Sequence, residues 1–314
     1  MDKRPLGKSG LIVSRLAFGG NVFGWTVDER TAFALLDRFL AAGGNLIDTA
    51  DAYSFWAPGN AGGESEALIG RWMKSRQNRD RVIVATKVGM LPAKKGLAKS
   101  TILSAVEDSL RRLQTDFIDL YQSHVDDPET PIEETLSAYS QLVQQGKVRA
   151  IGASNYTVER LSESLQISRV QHLPIYCSLQ PLYNLYDRSD FESQLAPLCL
   201  REGVGVITYS SLGSGFLTGK YRSENDLGKS PRGPRTQKRM DEKGFRILAA
   251  LDEVAQATHS NPARVALAWL LAQPVVTAPI ASATSLAQLD DLIASTRLVL
   301  DPSSLDILNR ASRS

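Results

Sequence analysis

Short apolar runs recur along the chain, and each is followed by a segment in which apolar residues return at helical spacing. Residues 4–14 read as a hairpin with Gly7 to Gly10 as its turn. Strands are predicted over 15–20, from 45 towards 53, and over 82–87, 117–124, 148–155, 176–180, 203–210 and 277–281. Helices are predicted over 29–42, 65–74, 100–113, 131–145, 157–167, 190–201, 245–258, 262–272, 285–296 and 303–311. The first of these carries Phe33, Leu36, Phe39 and Leu40 on one face. Helix 131–145 is expected to open on Thr130 as N-cap, Pro131 in the first turn and Glu133 closing a capping box. Helix 262–272 is expected to open on Asn261 followed by Pro262. Eight strand-then-helix units without a break in composition imply an α/β fold: a (β/α)8 TIM barrel with an N-terminal hairpin and extra C-terminal helices. No linker or low-complexity stretch interrupts it, so residues 1–314 read as one domain.

The chain's 314 residues are 43% hydrophobic, enough for one large core. A net charge of +2 argues against a nucleic-acid partner, and no apolar run approaches the roughly 18 residues of a membrane span. The first ten residues lack the apolar core of a signal peptide, and Cys177 and Cys199 are the only cysteines. The expected compartment is therefore the cytoplasm. The cysteines and the scattered His124, His172 and His259 make no metal-ligand spacing, so no metal is expected.

The barrel reading gives the polar strand ends a common address, because active sites of this fold lie at the C-terminal ends of the strands. Three successive strands end in Asp48, Lys87 and His124, and Tyr53 follows on the loop after the first. Ser154-Asn155, Gln180 and Tyr209-Ser210 occupy the ends of the next three. Asp48 and Lys87 form a matched ion pair, and an ammonium held against a phenol oxygen is expected to lower the Tyr53 pKa. His124 has the chemistry to donate a hydrogen bond to a carbonyl oxygen. Together these groups suit protonation of an oxyanion while hydride reaches carbon. No side chain supplies hydride, so a cofactor must carry it.

The motifs NLIDTADAY, VATK, QSH, IGASN, SLQPLYN, ITYSSLGSGFLTGKY and ASATSLAQL stand in order at these strand positions. By them the chain resembles the aldo-keto reductase superfamily over nearly its whole length, and within it the bacterial branch that includes the channel β-subunits. The resemblance implies reversible, NADPH-dependent reduction of aldehydes or ketones. Tyr53 would be the general acid-base, Lys87 and Asp48 would tune it, and His124 would orient a small carbonyl substrate. It implies NADPH or NADP+ held by Gly20, Asn21, Asp48, Ser154, Asn155 and Gln180, with Tyr209 stacked on the nicotinamide. Ser210, Ser211, Leu212, Gly213, Ser214 and Lys220 would wrap the pyrophosphate. Ser282, Thr284, Gln288 and Asp291 would meet the adenosine end. Where the branch has Pro, Gly and Asn, this chain has Ser211, Ser282 and Leu292. No Lys or Arg lies in 281–292, so Lys220, Arg232 and Arg235 become the candidates for a 2′-phosphate; they lie in segment 213–243, which has eight Lys or Arg against four Asp or Glu. Phe23, Trp25, Phe55 and Trp56 are read as an aromatic substrate wall. The alternative is a cofactor-binding regulatory protein like the channel β-subunits, but those carry Asn where this chain has His124.

Overall fold

The computed structural model describes residues 1–313. Strands β1 (Lys3–Pro5) and β2 (Ile12–Ser14) form an antiparallel hairpin in the register Lys3 to Ser14. The remaining strands are β3 (Ala17–Gly19), β4 (Leu46–Asp48), β5 (Ile83–Val88), β6 (Ile118–Ser123), β7 (Val148–Ser154), β8 (Tyr176–Gln180), β9 (Gly205–Thr208) and β10 (Val276–Ala281). These strands, β3 to β10, pair in parallel, in chain order, and close into a barrel as β10 returns to β3. The fold is the (β/α)8 barrel the apolar pattern implies.

The α-helices among the described residues are α1 (Glu29–Ala41), α2 (Glu64–Arg76), α3 (Lys99–Leu113), α4 (Ile132–Gln144), α5 (Val158–Val170), α6 (Ala196–Glu202), α7 (Glu242–Ala257), α8 (Pro262–Leu271), α9 (Leu286–Ser295) and α10 (Pro302–Ser312). A π-helical turn, Phe191–Leu195, leads into α6. The two additional helices pack together although one precedes β10 and the other ends the chain: Arg246 of α7 donates to the Ala311 carbonyl of α10 at 3.0 Å. No helix among the described residues is long and apolar enough to cross a membrane. Cys177 and Cys199 are buried and unpaired.

Asn261 caps α8 by accepting from the Arg264 amide, as expected. The expected cap of α4 is absent. Pro131 takes the cap position with no side-chain bond, while the Thr130 hydroxyl donates to Asp127 at 2.7 Å. Asp127 also accepts from the Leu97 amide, so its carboxylate organises this turn and draws Thr130 away from the helix. Strand β4 is shorter than its motif, because the chain turns after Asp48; it still tracks β5 through Thr49 N to Ala85 O and Asp51 N to Lys87 O.

Two apolar clusters hold the fold. Small and medium side chains such as Ala17, Leu46, Ala85, Leu120 and Ala278 fill the barrel, and the hairpin's Leu6 and Val13 join them to seal its N-terminal end. The larger cluster lies between strands and helices. Gly7 makes the seal possible: it has φ +51°, and a Cβ there would meet the Cys177 carbonyl at 2.3 Å. With the N-terminal end closed, the polar strand ends face the opposite mouth, where a ligand can enter.

Gly70 lies where α2 crosses α3, and a Cβ would sit 2.2 Å from the Arg112 carbonyl. Gly to Ala in a helix ordinarily stabilises by about 0.5–1 kcal/mol. Here overlap with a rigid backbone, about 1–3 kcal/mol, outweighs that gain. Gly70→Ala is expected to lower the urea midpoint; a raised midpoint would show that the two helices separate freely.

Candidate active site

The Lys87 side chain is fully buried on β5, and the Asp48 side chain at the end of β4 is 2% exposed. The Lys87 ammonium lies 2.9 and 2.8 Å from the two Asp48 oxygens, 2.8 Å from the Thr49 carbonyl and 2.8 Å from the Tyr53 hydroxyl. A buried ammonium is tolerated only with such a complete set of acceptors. Tyr53 donates to Asp48 Oδ2 at 3.1 Å, and Gln180 Nε2 donates to Asp48 Oδ1 at 2.8 Å across the barrel. The turn that follows β4 places Tyr53: its amide donates to the Ala50 carbonyl at 3.2 Å.

His124 follows β6 directly, with its ring centroid 5.9 Å from that of Tyr53. Its amide donates to Val88 and its carbonyl accepts from Asn155 Nδ2 at 2.8 Å. Asn155 adopts a left-handed φ of +55° and accepts from the Tyr209 hydroxyl at 2.8 Å. Its side-chain amide is thus committed to locking His124 and Tyr209 together. Ser154 donates to the Gln180 carbonyl at 2.9 Å.

Burial sets the protonation states. Burial first, then the Asp48 carboxylate, raises the Tyr53 hydroxyl well above the ordinary tyrosine value. This reverses the sign expected from Lys87 alone, because burial disfavours the phenolate and Asp48, which accepts the phenol proton's hydrogen bond, adds to that effect. Burial lowers the Lys87 ammonium from its usual value, opposed by Asp48. Burial, and then Lys87, hold the His124 imidazole well below the usual histidine range. At neutral pH the site therefore presents a protonated phenol and a neutral imidazole.

These groups floor a cavity of about 1180 Å³ at the C-terminal end of the barrel. Of the residues singled out from sequence, Asn21, Asp48, Tyr53, His124, Ser154, Asn155, Gln180 and Tyr209 line it. So do Ser210, Ser211, Leu212, Ser214, Lys220, Arg232, Arg235, Ser282, Thr284, Gln288 and Asp291. Lys87 acts from beneath. Gly20 and Gly213 are not in the lining: Gly20 is buried with its amide on the Asp48 carbonyl, and the Gly213 amide donates to Ser210 in a left-handed turn. Ser211 turns its hydroxyl to the Thr208 carbonyl, which ties the loop where proline was expected. Asp291 is engaged by Arg264 at 2.5 Å, and the neighbouring Leu292 contributes an apolar wall.

The aromatic wall is corrected in part. Phe23 is fully buried and stacks on Phe18 at 5.4 Å, so it belongs to the core; its amide closes a turn on the Gly20 carbonyl. Trp25, Phe55 and Trp56 stand outside the cavity lining. Trp56 nonetheless packs on Trp25 at 5.7 Å and on Tyr53 at 6.2 Å. Asn60 stitches the two loops together through the Gly24 carbonyl at 2.8 Å.

A buried charge cluster behind the site escaped the sequence reading. Glu66 on α2 accepts from Thr86 at 2.5 Å and pairs with Arg112 at 2.7 Å. Beside it Asp51 is 1% exposed, and neither carboxylate oxygen has a hydrogen-bond partner among the described residues. The signal was a second carboxylate three positions after Asp48 in the same motif.

The site's chemistry can be tested for a dinucleotide cofactor. The cavity runs from Tyr53 to the start of α9, and Lys220 and Arg235 line it without ion-pair partners among the described residues. The loop from Ser210 to Gly215 includes left-handed residues at 210 and 213–215, which curl its backbone around one side. Volume, free cations and curled backbone all fit an elongated anionic ligand.

The sequence profile of the Aldo/keto reductase family matches residues 15–313, so the chain belongs to that family. It is an oxidoreductase of a family that uses nicotinamide cofactors. It is 36% identical to the uncharacterized oxidoreductase YrpG of Bacillus subtilis, over 98% of this chain and 95% of the relative. It is 34% identical to the aldo-keto reductase YhdN of the same organism, over 87% and 82%. A probable voltage-gated potassium channel subunit beta of Oryza sativa subsp. japonica is 33% identical, over 90% and 88%.

Burial and Glu66 push the Asp51 carboxyl up to about 8, against the pull of Arg112 and Lys87. The folded protein then binds a proton that the unfolded chain releases near 4, so this contribution to stability is lost as pH rises towards 8. The carboxamide introduced by Asp51→Asn mimics the protonated acid without titrating. The variant's urea midpoint is expected to gain on the unmutated protein between pH 5 and pH 8; parallel pH profiles would show that Asp51 is ionised in the fold.

Proposed function

We propose that the protein is an NADPH-dependent carbonyl reductase, converting aldehydes or ketones to alcohols reversibly, with Tyr53 as the proton donor. The observation that carries this reading is the buried Lys87 ammonium within 2.8 Å of both Asp48 and the Tyr53 hydroxyl, on the floor of a cavity that His124 also lines. The reduced nicotinamide, when bound, supplies a hydride to the carbonyl carbon. Tyr53 gives its proton to the carbonyl oxygen, so that the C=O bond becomes C–OH. The phenolate left behind faces the Lys87 ammonium, which stabilises it. Neutral His124 donates a hydrogen bond that orients the carbonyl oxygen. For oxidation the same groups run in reverse, Tyr53 taking up the alcohol proton.

The residues that would hold the cofactor follow the cavity. Gln180 and Ser154 adjoin the catalytic group, and Tyr209, anchored through Asn155, offers a flat ring beside them. Ser210, Leu212 and Ser214 lie on the curled loop, and Ser282, Thr284 and Gln288 at the start of α9. Lys220 and Arg235 would meet the 2′-phosphate. A purely regulatory, cofactor-binding role has less support: a proton donor and a neutral imidazole are assembled at one cavity floor, which binding alone does not require.

Tyr53→Phe keeps the ring and removes the acid, so turnover of the best aldehyde or ketone should fall roughly 10²–10⁴-fold. NADPH affinity, read by fluorescence titration, should survive. Lys87→Met should also slow turnover, and the double variant should lose little more than the worse single one. Near-normal turnover by Tyr53→Phe would refute Tyr53 as the acid. Cofactor choice is a separate matter: NADPH should be preferred over NADH, and Lys220→Met and Arg235→Ala should each erode that preference by about 1 kcal/mol, roughly fivefold. Equal efficiency with both cofactors in the unmutated protein would contradict this assignment.

A further inference from the structure

Arg232 stands apart from the other cations of the cavity. Lys220 and Arg235 are exposed, and Lys229 pairs with Asp226 at 2.7 Å. Arg232 is half-buried in the lining and makes neither an ion pair nor a side-chain hydrogen bond among the described residues. Its guanidinium lies 5.5 Å over the ring of Trp25. Trp25 packs on Trp56, and Trp56 on Tyr53, so the charge belongs to the aromatic group around the proposed proton donor. The carboxylates of the lining are already engaged: Asp48 by Lys87 and Gln180, Asp291 by Arg264. Burial and then the like charge of Arg235 disfavour the cation.

A half-buried guanidinium held against an indole face and left without an acceptor among the described residues can receive an anion, and its planar fork matches carboxylate or phosphate. We infer that Arg232 anchors an anionic group of the substrate, so that the site selects carbonyl compounds carrying a carboxylate or phosphate. This rests on the reductase reading above. It assigns Arg232 to the substrate, leaving Lys220 and Arg235 for the cofactor.

The test uses matched substrates differing in charge: 4-carboxybenzaldehyde against its methyl ester, and glyceraldehyde 3-phosphate against glyceraldehyde. In the unmutated protein kcat/KM should favour the anion roughly 10- to 100-fold in at least one pair, mainly through KM. The pair that responds tells carboxylate from phosphate. Arg232→Gln should bring that ratio close to one, and Arg232→Lys should restore part of it. Ratios near one in both pairs, or a ratio that survives Arg232→Gln, overturn the inference. So does an unchanged ratio with weakened NADPH binding in Arg232→Gln, which would give the guanidinium to the cofactor's phosphates. Calorimetric binding of the same four compounds to the NADP+-loaded protein reads the anchor without turnover. Charge-selective binding that Arg232→Gln abolishes, in a protein that reduces nothing, would keep the anchor and sink the reductase reading. Absence of any charge-selective binding would sink the anchor.

Discussion

The mouth of this barrel is organised by one fully buried ammonium. Lys87 has no access to water, and its charge is tolerated because Asp48, the Thr49 carbonyl and the Tyr53 hydroxyl surround it at hydrogen-bond distance. Meeting that requirement fixes much else. Strands β4 and β5 must be neighbours in the register that sets Asp48 against Ala85. The chain after β4 must turn at once, so that both a backbone carbonyl and Tyr53 reach the same nitrogen. Gln180 must arrive from β8 to complete the Asp48 shell. The contacts to Lys87 all come from β4 and the turn after it, and Gln180 reaches Asp48 from β8 across the barrel, so the shell is complete only when β4, β5 and β8 come together.

The same burial determines the charge states available for chemistry. It raises Tyr53 and depresses His124, pushing both towards their neutral forms. A phenol that keeps its proton, above an ammonium ready for the phenolate, is an arrangement more useful in the transition state than in the resting protein. The layer behind obeys the same rule. Glu66 and Arg112 compensate one another as Asp48 and Lys87 do. Asp51 is then the surplus carboxylate, with no cation of its own, and it resolves the imbalance by holding a proton.

Around this fixed floor the rim is built from long loops. The segment after β9 returns over the mouth, anchored by Arg239 on Asp187 at 2.6 Å, and it delivers the cations of the cavity. The loops after β3 and β4 meet it with Trp25 and Trp56. Rigid strand ends hold the proposed reacting groups while the loops shape what can reach them, a division that lets one barrel chemistry serve many substrates.

The alternation of apolar runs and amphipathic helices was enough to specify the barrel, because parallel strands buried on both faces leave a pattern that few other folds share. The strand-end positions of Asp48, Lys87, His124 and Gln180 were legible for the same reason: a polar residue ending such a run has one place to go. Other features were not local. Thr130 left its helix for Asp127, a choice made by the competing turn. Phe23 reads like Trp25 in sequence, yet Phe23 packs on Phe18 in the core and Trp25 on Trp56 at the rim. The pairing of Glu66 with Arg112 joins α2 to α3, and the raised pKa of Asp51 follows from its burial beside Glu66. Above all, the sequence offered a lysine beside a tyrosine and implied a lowered phenol pKa, whereas the fold also buried the ring and turned its proton towards Asp48. Side-chain types and their periodicity determined the architecture and which polar groups stand at the strand ends. Their protonation, and which aromatic or cation faces the ligand, were decided by tertiary structure, because electrostatic energies depend on burial and on partners that only folding brings within reach.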